Sequence, residues 1–227
     1  ESERRMAVVN PIKVTIINYP EEKNEILVGT NHPKRSELGT REISFSRELW
    51  IEKDDFMEEA PKKFFRLKPG GEVRLRFAYI IRCVEVIKNN VGEIEELLCT
   101  YDPETRSGSG SSDRKVKGTI HWVDAKTAIN AEVRLYDRLF SVPDPSADES
   151  ILKHLNPNSM KSCAAKLESS LSNHDEPVQF ERLGYFVTDS IDHCLEQNVF
   201  NRIVTLRDSW AKIERKAVEE KNTKNKV

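Results

Sequence analysis

The residues best suited to chemistry are basic and aromatic, and they are concentrated in one stretch. Phe64, Phe65 and Tyr79 lie among eight basic residues, with only two acidic ones in the same stretch. The basic residues are Lys62, Lys63, Arg66, Lys68, Arg74, Arg76, Arg82 and Lys88. Guanidinium groups bind phosphate oxygens and base edges through paired hydrogen bonds, and aromatic rings stack on unpaired bases. The stretch therefore suits single-stranded nucleic acid.

The arginines of this stretch follow a strand-like pattern. Residues 73–79 alternate apolar and polar side chains, so Arg74 and Arg76 should project side by side from one face of a strand. Two adjacent guanidinium groups could grip phosphates or base edges. The same alternation is also that of an ordinary solvated strand face paired with neighbouring Glu residues, and spacing alone favours this simpler interpretation.

A second candidate cluster lies at residues 179–186. Gln179, Glu181 and Tyr185 would share one face of a strand, with Arg182 opposite unless Gly184 marks a bulge. A Gln and an Arg could together read a base edge. An ordinary strand is nevertheless the first expectation from these residues alone.

Motifs of enzymes and metal sites are missing from the sequence. The five His form no HExxH pattern, no Gly-rich phosphate loop precedes a helix, and no Gly-x-Ser-x-Gly elbow occurs. His193 and Cys194 are adjacent, so their side chains would diverge in a strand. The four Cys lack the spacing of a zinc site or disulfide framework, which favours a reducing compartment. We expect no catalytic residue and no metal site.

The elements that must position these residues are mostly strands. Short alternating or β-branched segments separated by turn residues favour an all-β protein built from barrels or a sandwich. The predicted strands are Ile12–Ile16, Ile26–Val28, Val73–Tyr79, Ile94–Tyr101, Val116–Val123, Ala131–Phe140, Gln179–Val187 and Asn201–Leu206. Only brief helical turns are predicted, at 54–59 and 147–155.

Composition restricts the class of protein further. The chain has 227 residues, 37% of them hydrophobic, and a net charge of only -2, so bulk charge does not indicate a polyanionic partner. No apolar run is long enough to cross a bilayer, and the N-terminal residues resemble no signal or transit peptide. We therefore expect a cytoplasmic protein, and the start on Glu1 suggests a piece of something longer.

Several longer strings resemble a known family. They are MAVVNP at 6–11, NHP at 31–33, EVRLRFAY at 72–79, VKGTIHWV at 116–123, RLYDRLF at 134–140, FNR at 200–202 and LRDSW at 206–210. These strings are similar to the C-terminal anticodon-binding region of bacterial-type glutaminyl-tRNA synthetases, and the resemblance runs from Arg4 to Trp210.

The resemblance implies an all-β fold of two β-barrels, the distal one inserted in the proximal one. With our split of the β-rich chain, it gives a stub of an upstream domain at 1–10, a proximal barrel at 11–49 and 124–210, a distal barrel at 50–123, and a polar tail at 211–227 that we expect to be disordered. In this family three anticodon bases are splayed apart into separate pockets, where unstacked bases expose their full hydrogen-bonding edges.

The resemblance also assigns site residues by position. The residues around the central uridine are matched by Arg4, Gln179 and Arg182. The first-base site is matched by Arg74 and Arg76. The third-base pocket is matched by Arg66, with Lys62 and Lys63 close by.

Some positions depart from the family pattern. Lys34, Lys63, Phe65 and Phe77 stand where Asn, Gln, Lys and Asn are expected, so the two lysines become candidates for phosphate contacts and Phe65 for stacking.

The resemblance implies that the partner is tRNA(Gln). It also implies an upstream catalytic domain using ATP and Mg, whose HIGH-type and KMSKS-type signatures are missing here, and a monomer. A glutamyl-tRNA synthetase of eukaryotic or archaeal type, or a freestanding ribosomal-RNA-binding barrel protein, remain alternatives.

Overall fold

The computed structural model describes residues 2–109, 114–147, 150–172, 174 and 176–206, and its secondary structure is nearly all β, as predicted. Within those residues the helical segments are single 3-10 turns of three or four residues. The strands described there are β1 (Arg4–Arg5), β2 (Ala7–Val9), β3 (Pro11–Ile16), β4 (Glu25–Thr30), β5 (Thr40–Phe45), β6 (Glu48–Glu52), β7 (Glu72–Leu75), β8 (Ile80–Lys88), β9 (Ile94–Asp102), β10 (Thr119–Ile120), β11 (Val123–Asp124), β12 (Ile129–Tyr136), β13 (Met160–Leu167), β14 (Val178–Phe180), β15 (Gly184–Thr188) and β16 (Asn198–Val204).

Most of these strands form two seven-stranded sheets. The first sheet has the order β1-β14-β15-β16-β12-β13-β2, the second has the order β10-β7-β8-β9-β3-β6-β11, and β4 pairs with β5 alone. In each large sheet the two edge strands are consecutive in the chain, as β1 and β2 or as β10 and β11. Each sheet therefore curves so that its two edges approach each other. One is a nearly closed barrel and the other a half-barrel, in agreement with the predicted fold class.

The second sheet is inserted into the first, but the boundaries differ from the predicted ones. Strands of the first sheet come from residues 4–9 and 129–204, and those of the second from 11–124. The prediction places 11–49 with 124–210, whereas β3 pairs with β6 and with β9. The supposed stub at 1–10 supplies both edge strands of the first sheet. Alternation shows that a strand has a buried face but not which core it faces.

The described residues form two apolar cores, one centred on each large sheet. In β3 the pattern is strictly alternating, with Ile12, Val14 and Ile16 buried in the core of the second sheet. Trp122 is completely buried there and donates its indole N–H to the Arg76 carbonyl at 2.8 Å. The first sheet buries a smaller cluster in which the Phe180 and Phe186 rings stack at 4.2 Å.

Several predicted strands are shorter than expected. The strand at 73–79 ends at Leu75, because Phe77 has a φ of +62° and turns the chain back into β8. The segment 179–187 is a hairpin of β14 and β15 rather than one strand. Only two short pieces of 116–123 pair, as β10 and β11.

The polar tail at 211–227 lies outside the described residues, so its predicted disorder is not addressed by the structure. Among the residues that are described, none belongs to a helix long and apolar enough to cross a membrane.

Candidate nucleic-acid interface

The centre of the candidate site is a buried carboxylate, Asp55, which ends the 3-10 turn Lys53–Asp55 just after β6. Its side chain has no solvent exposure. Arg182 donates two hydrogen bonds to it, one to each carboxylate oxygen, both at 2.6 Å. Arg66 adds its Nε at 3.3 Å and donates to the Asp54 carbonyl at 2.8 Å. One buried acid therefore holds two arginines from distant parts of the chain.

Arg182 is positioned by the turn of the β14–β15 hairpin. It has a φ of +70°, a left-handed conformation that is unfavourable for a side chain of this size. Burial lowers the pKa of Arg182, but the hydrogen bonds and charge of Asp55, with the charges of Glu52 and Glu181, outweigh it and raise the pKa overall. The guanidinium is therefore held charged and fixed in orientation.

A metal is a poor fit to this cluster. Glu52, Asp55 and His121 are buried with potential ligand atoms within 4.8 Å of one another. Both Asp55 oxygens, however, already accept hydrogen bonds from Arg182, whose Nη1 lies 3.4 Å from His121 Nδ1. The positive charges of Arg66 and Arg182 fill the role that a cation would take. The cluster is an ion-pair network.

A cavity of about 510 Å³ opens beside this network. Its lining combines basic and aromatic side chains, and consists of Lys63, Phe64, Phe65, Arg66, Lys117, Gly118, Thr119 and Arg182. The structure thus brings together three of the predicted site residues, Lys63, Arg66 and Arg182. The family resemblance had divided these three between two base pockets, whereas here they surround one space.

Arg74 and Arg76 are each held by contacts with other parts of the chain, and these contacts are on different segments. Arg74 donates to the carbonyls of Thr105 at 2.7 Å and Arg114 at 2.9 Å, which anchors the segment after β9. Arg76 lies beyond the end of β7, with its Nε 2.7 Å from Glu181 Oε1 in an ion pair that lacks the alignment of a hydrogen bond. The turn after Leu75 breaks the alternation on which the prediction depended.

The remaining predicted residues are separated from the cavity. Arg4 and Gln179 are register partners in the parallel pairing of β1 with β14, and Gln179 is buried. Arg4 Nε is also buried and has no hydrogen-bond partner among the described residues. Lys62 is exposed and is not part of the lining.

Sequence reasoning missed three residues of the site. Asp55 was not named as a site residue, and Glu181 was named only as a member of a strand face, although each holds a predicted arginine. Lys117 lies in the VKGTIHWV string but was not singled out, and its Nζ is 5.3 Å from the Phe65 ring centroid. The only signal for Asp55 was the Asp54–Asp55 pair after an apolar strand, which also fits a helix cap.

Family models decide the identity of the fold. A model described as the anticodon-binding domain of class I tRNA synthetases (E and Q) matches residues 2–102, and a second model with the same description matches residues 119–189. The chain belongs to this anticodon-binding family. The resemblance found in the sequence is confirmed, and the basic, aromatic cavity is a feature of an anticodon-binding domain.

Individual relatives agree with this assignment. The chain is 55% identical over 218 residues to a glutamine–tRNA ligase of Rhodopirellula baltica, a match that covers 94% of the chain and 36% of the relative. It is 52% identical over 214 residues to that of Bradyrhizobium diazoefficiens, covering 93% and 38%. Identity is 54% over 215 residues to that of Xanthomonas euvesicatoria, covering 92% and 37%. The chain spans a little over a third of the length of these relatives.

Proposed function

We propose that this anticodon-binding domain is the part of a glutamine–tRNA ligase that binds tRNA(Gln) and reads its splayed anticodon bases. The observation that carries the proposal is the cavity beside Asp55, where two oriented arginines adjoin the exposed ring of Phe65 and the partly buried ring of Phe64. Oriented guanidinium groups select base edges by paired hydrogen bonds, and aromatic rings accept unstacked bases. The relatives named glutamine–tRNA ligase support the amino acid and the tRNA.

The assignment of bases follows the family resemblance and the geometry. Arg182 serves the central base, together with Gln179 and Arg4, which the resemblance assigns to the same base. Arg66 and Lys63 serve the third base, and Lys62 supplies a nearby phosphate contact. Arg76, which is paired with Glu181, serves the first base. Arg74 has a structural part, because it binds the carbonyls of Thr105 and Arg114.

The rest of the proposed enzyme lies outside this chain. A catalytic domain of the same polypeptide would use ATP and Mg to attach glutamine, and this domain would supply recognition only. We expect the whole enzyme to act as a cytoplasmic monomer. Light scattering of the whole enzyme with and without tRNA tests the monomer, since a dimer would show twice the mass.

Hairpin binding tests the function directly. Fluorescence anisotropy would compare anticodon hairpins of tRNA(Gln) and tRNA(Glu), each with single-base changes at the three anticodon positions. We expect tighter binding of the glutamine hairpin and about 1 to 3 kcal/mol of discrimination for each base that is read. Preference for the glutamate hairpin would favour the glutamyl-tRNA synthetase alternative, and equal binding of unrelated hairpins would refute anticodon reading.

A further inference from the structure

The most exposed aromatic side chain of the cavity is Phe65, which is 49% exposed. Lys117 belongs to a different segment of the chain, and its Nζ lies 5.3 Å from the Phe65 ring centroid. We propose that Phe65 and Lys117 form a subsite for one unpaired nucleotide, with Phe65 stacking on the base and Lys117 neutralising its phosphate. This inference rests on the proposed RNA-binding function and deepens it.

The Phe65 ring is carried by a fixed backbone. A Cβ atom at Gly118 would lie 1.9 Å from the Phe65 carbonyl oxygen, so only glycine allows the two segments to touch there. Gly118 is in turn held by Arg74, whose N–H donates to the Gly118 carbonyl at 2.9 Å. A positioned aromatic surface loses little conformational entropy when a base stacks on it. Phe65 is therefore suited to binding rather than left exposed on a loose loop.

The charges around the ring specify the ligand. The cavity lining contains four basic side chains, Lys63, Arg66, Lys117 and Arg182, and no acidic one. Buried Asp55 neutralises part of the charge of the two arginines, but it is not involved with the two lysines in any described contact. A ligand with a flat apolar face and an adjacent negative charge fits this combination, and a nucleotide has both.

Lys117 can serve both the free and the bound state. In the free chain its ammonium lies over the aromatic face that a base would cover. The ammonium is carried on a flexible four-carbon stem. When a base takes its place on the ring, the ammonium can turn to the phosphate of the same nucleotide without backbone movement.

A cycle of protein and RNA changes tests the stacking contact. Binding of the glutamine anticodon hairpin to the native chain and to Phe65→Leu would be measured with intact hairpins and with hairpins lacking one base at each loop position. Stacking predicts that Phe65→Leu weakens binding of the intact hairpin by about 5- to 100-fold. At the loop position whose base stacks on Phe65, removing the base should weaken binding to the native chain by a similar factor. The same removal should cause almost no further loss of binding to the Phe65→Leu variant.

Controls separate stacking from general damage. Tyr136→Leu changes an aromatic side chain on β12 that is similarly exposed but lies outside the cavity, and it should leave binding unchanged. If the losses of binding free energy from Phe65→Leu and from base removal are additive at every loop position, the stacking role is overturned. Failure of the native chain to bind any anticodon hairpin would refute the proposed function itself, so the two failures are distinguishable.

Salt dependence tests the phosphate contact. Lys117→Gln should reduce the slope of log affinity against log salt by about one unit for every hairpin that fills the subsite. Lys115→Gln removes the same charge two residues away and outside the lining, so it should change the slope less. Equal slope changes in both variants would overturn the assignment of Lys117.

Discussion

Replacing Asp55 with Asn tests whether the buried carboxylate orients the Arg182 guanidinium for base recognition. Asn keeps the shape and one acceptor oxygen but places an amide N–H₂ against the second guanidinium donor, so one of the two 2.6 Å bonds is lost. Breaking a fully buried ion pair costs about 3 to 5 kcal/mol. The Arg182 and Arg66 side chains remain 32% and 43% exposed and can be hydrated, so we expect a lower loss of folding stability, about 1 to 3 kcal/mol.

The same substitution should reduce base discrimination. A bidentate contact contributes about 1 to 3 kcal/mol of discrimination against the wrong base, and a freely rotating guanidinium would lose most of it. Urea denaturation would give the stability and hairpin anisotropy the discrimination. Asp54→Asn is a matched control, because Asp54 is exposed and offers Arg66 only its backbone carbonyl. If Asp55→Asn lost stability but kept full discrimination at every anticodon position, the orienting role of Asp55 would be refuted.

Four further predictions concern single side chains. Arg182→Ala should cost about 1 to 3 kcal/mol for the correct anticodon and much less for a wrong one, and equal losses in anisotropy would reduce it to a phosphate contact. Lys68→Ala should weaken all RNAs alike and flatten the salt dependence, which a sequence-specific loss would contradict. Glu168→Gln should lower the free energy of unfolding, measured by urea denaturation, by about 3 kcal/mol. The reason is that the buried carboxylate of Glu168 lies 2.9 Å from Arg41 Nε and 3.7 Å from Arg5 Nε. A loss under about 1 kcal/mol would argue against this ion-pair network. The pKa of Asp189 is lowered to about 2 by hydrogen bonds from the N–H of Asp192, the Asn201 amide and the N–H of Ile191. Its contribution to folding stability is therefore present above about pH 4 and is lost as the pH falls to about 2. Asp189→Asn should flatten that part of the pH–stability curve.

The sequence predicted the fold class and much of the strand content, because alternation and β-branched residues report directly on a half-buried strand. Residues 12–16 and 94–101 were found close to their real limits at β3 and β9. The pairing of these two strands was not predictable, since alternation says nothing of the partner. The placing of 11–49 depends on the pairing of β3 with β6 and β9, which alternation does not encode.

The site was predicted unevenly, and the reason is backbone conformation. Arg74 and Arg76 were expected to lie side by side because the pattern continued to residue 79, yet Phe77 adopts a left-handed φ that the side-chain types do not announce. The residue pattern alone predicts that Arg182 is an ordinary strand residue, although it too has a positive φ and lies in a turn. Family resemblance recovered Arg182, but it could not reveal Asp55, whose importance depends on a contact 127 residues away in sequence.

Two ion pairs connect the two sheets, and each sheet supplies the arginine of one pair and the acid of the other. Arg182 of the first sheet reaches Asp55 of the second, and Arg76 of the second reaches Glu181 of the first. Glu181 and Arg182 are consecutive, so both pairs act on the same hairpin turn between β14 and β15. An RNA base that draws either arginine from its acid must therefore alter a contact between the two sheets. Because linkage is reciprocal, the free energy of base recognition and that of sheet–sheet contact depend on each other. This geometry gives anticodon binding a physical route by which to affect parts of the protein that do not touch the anticodon.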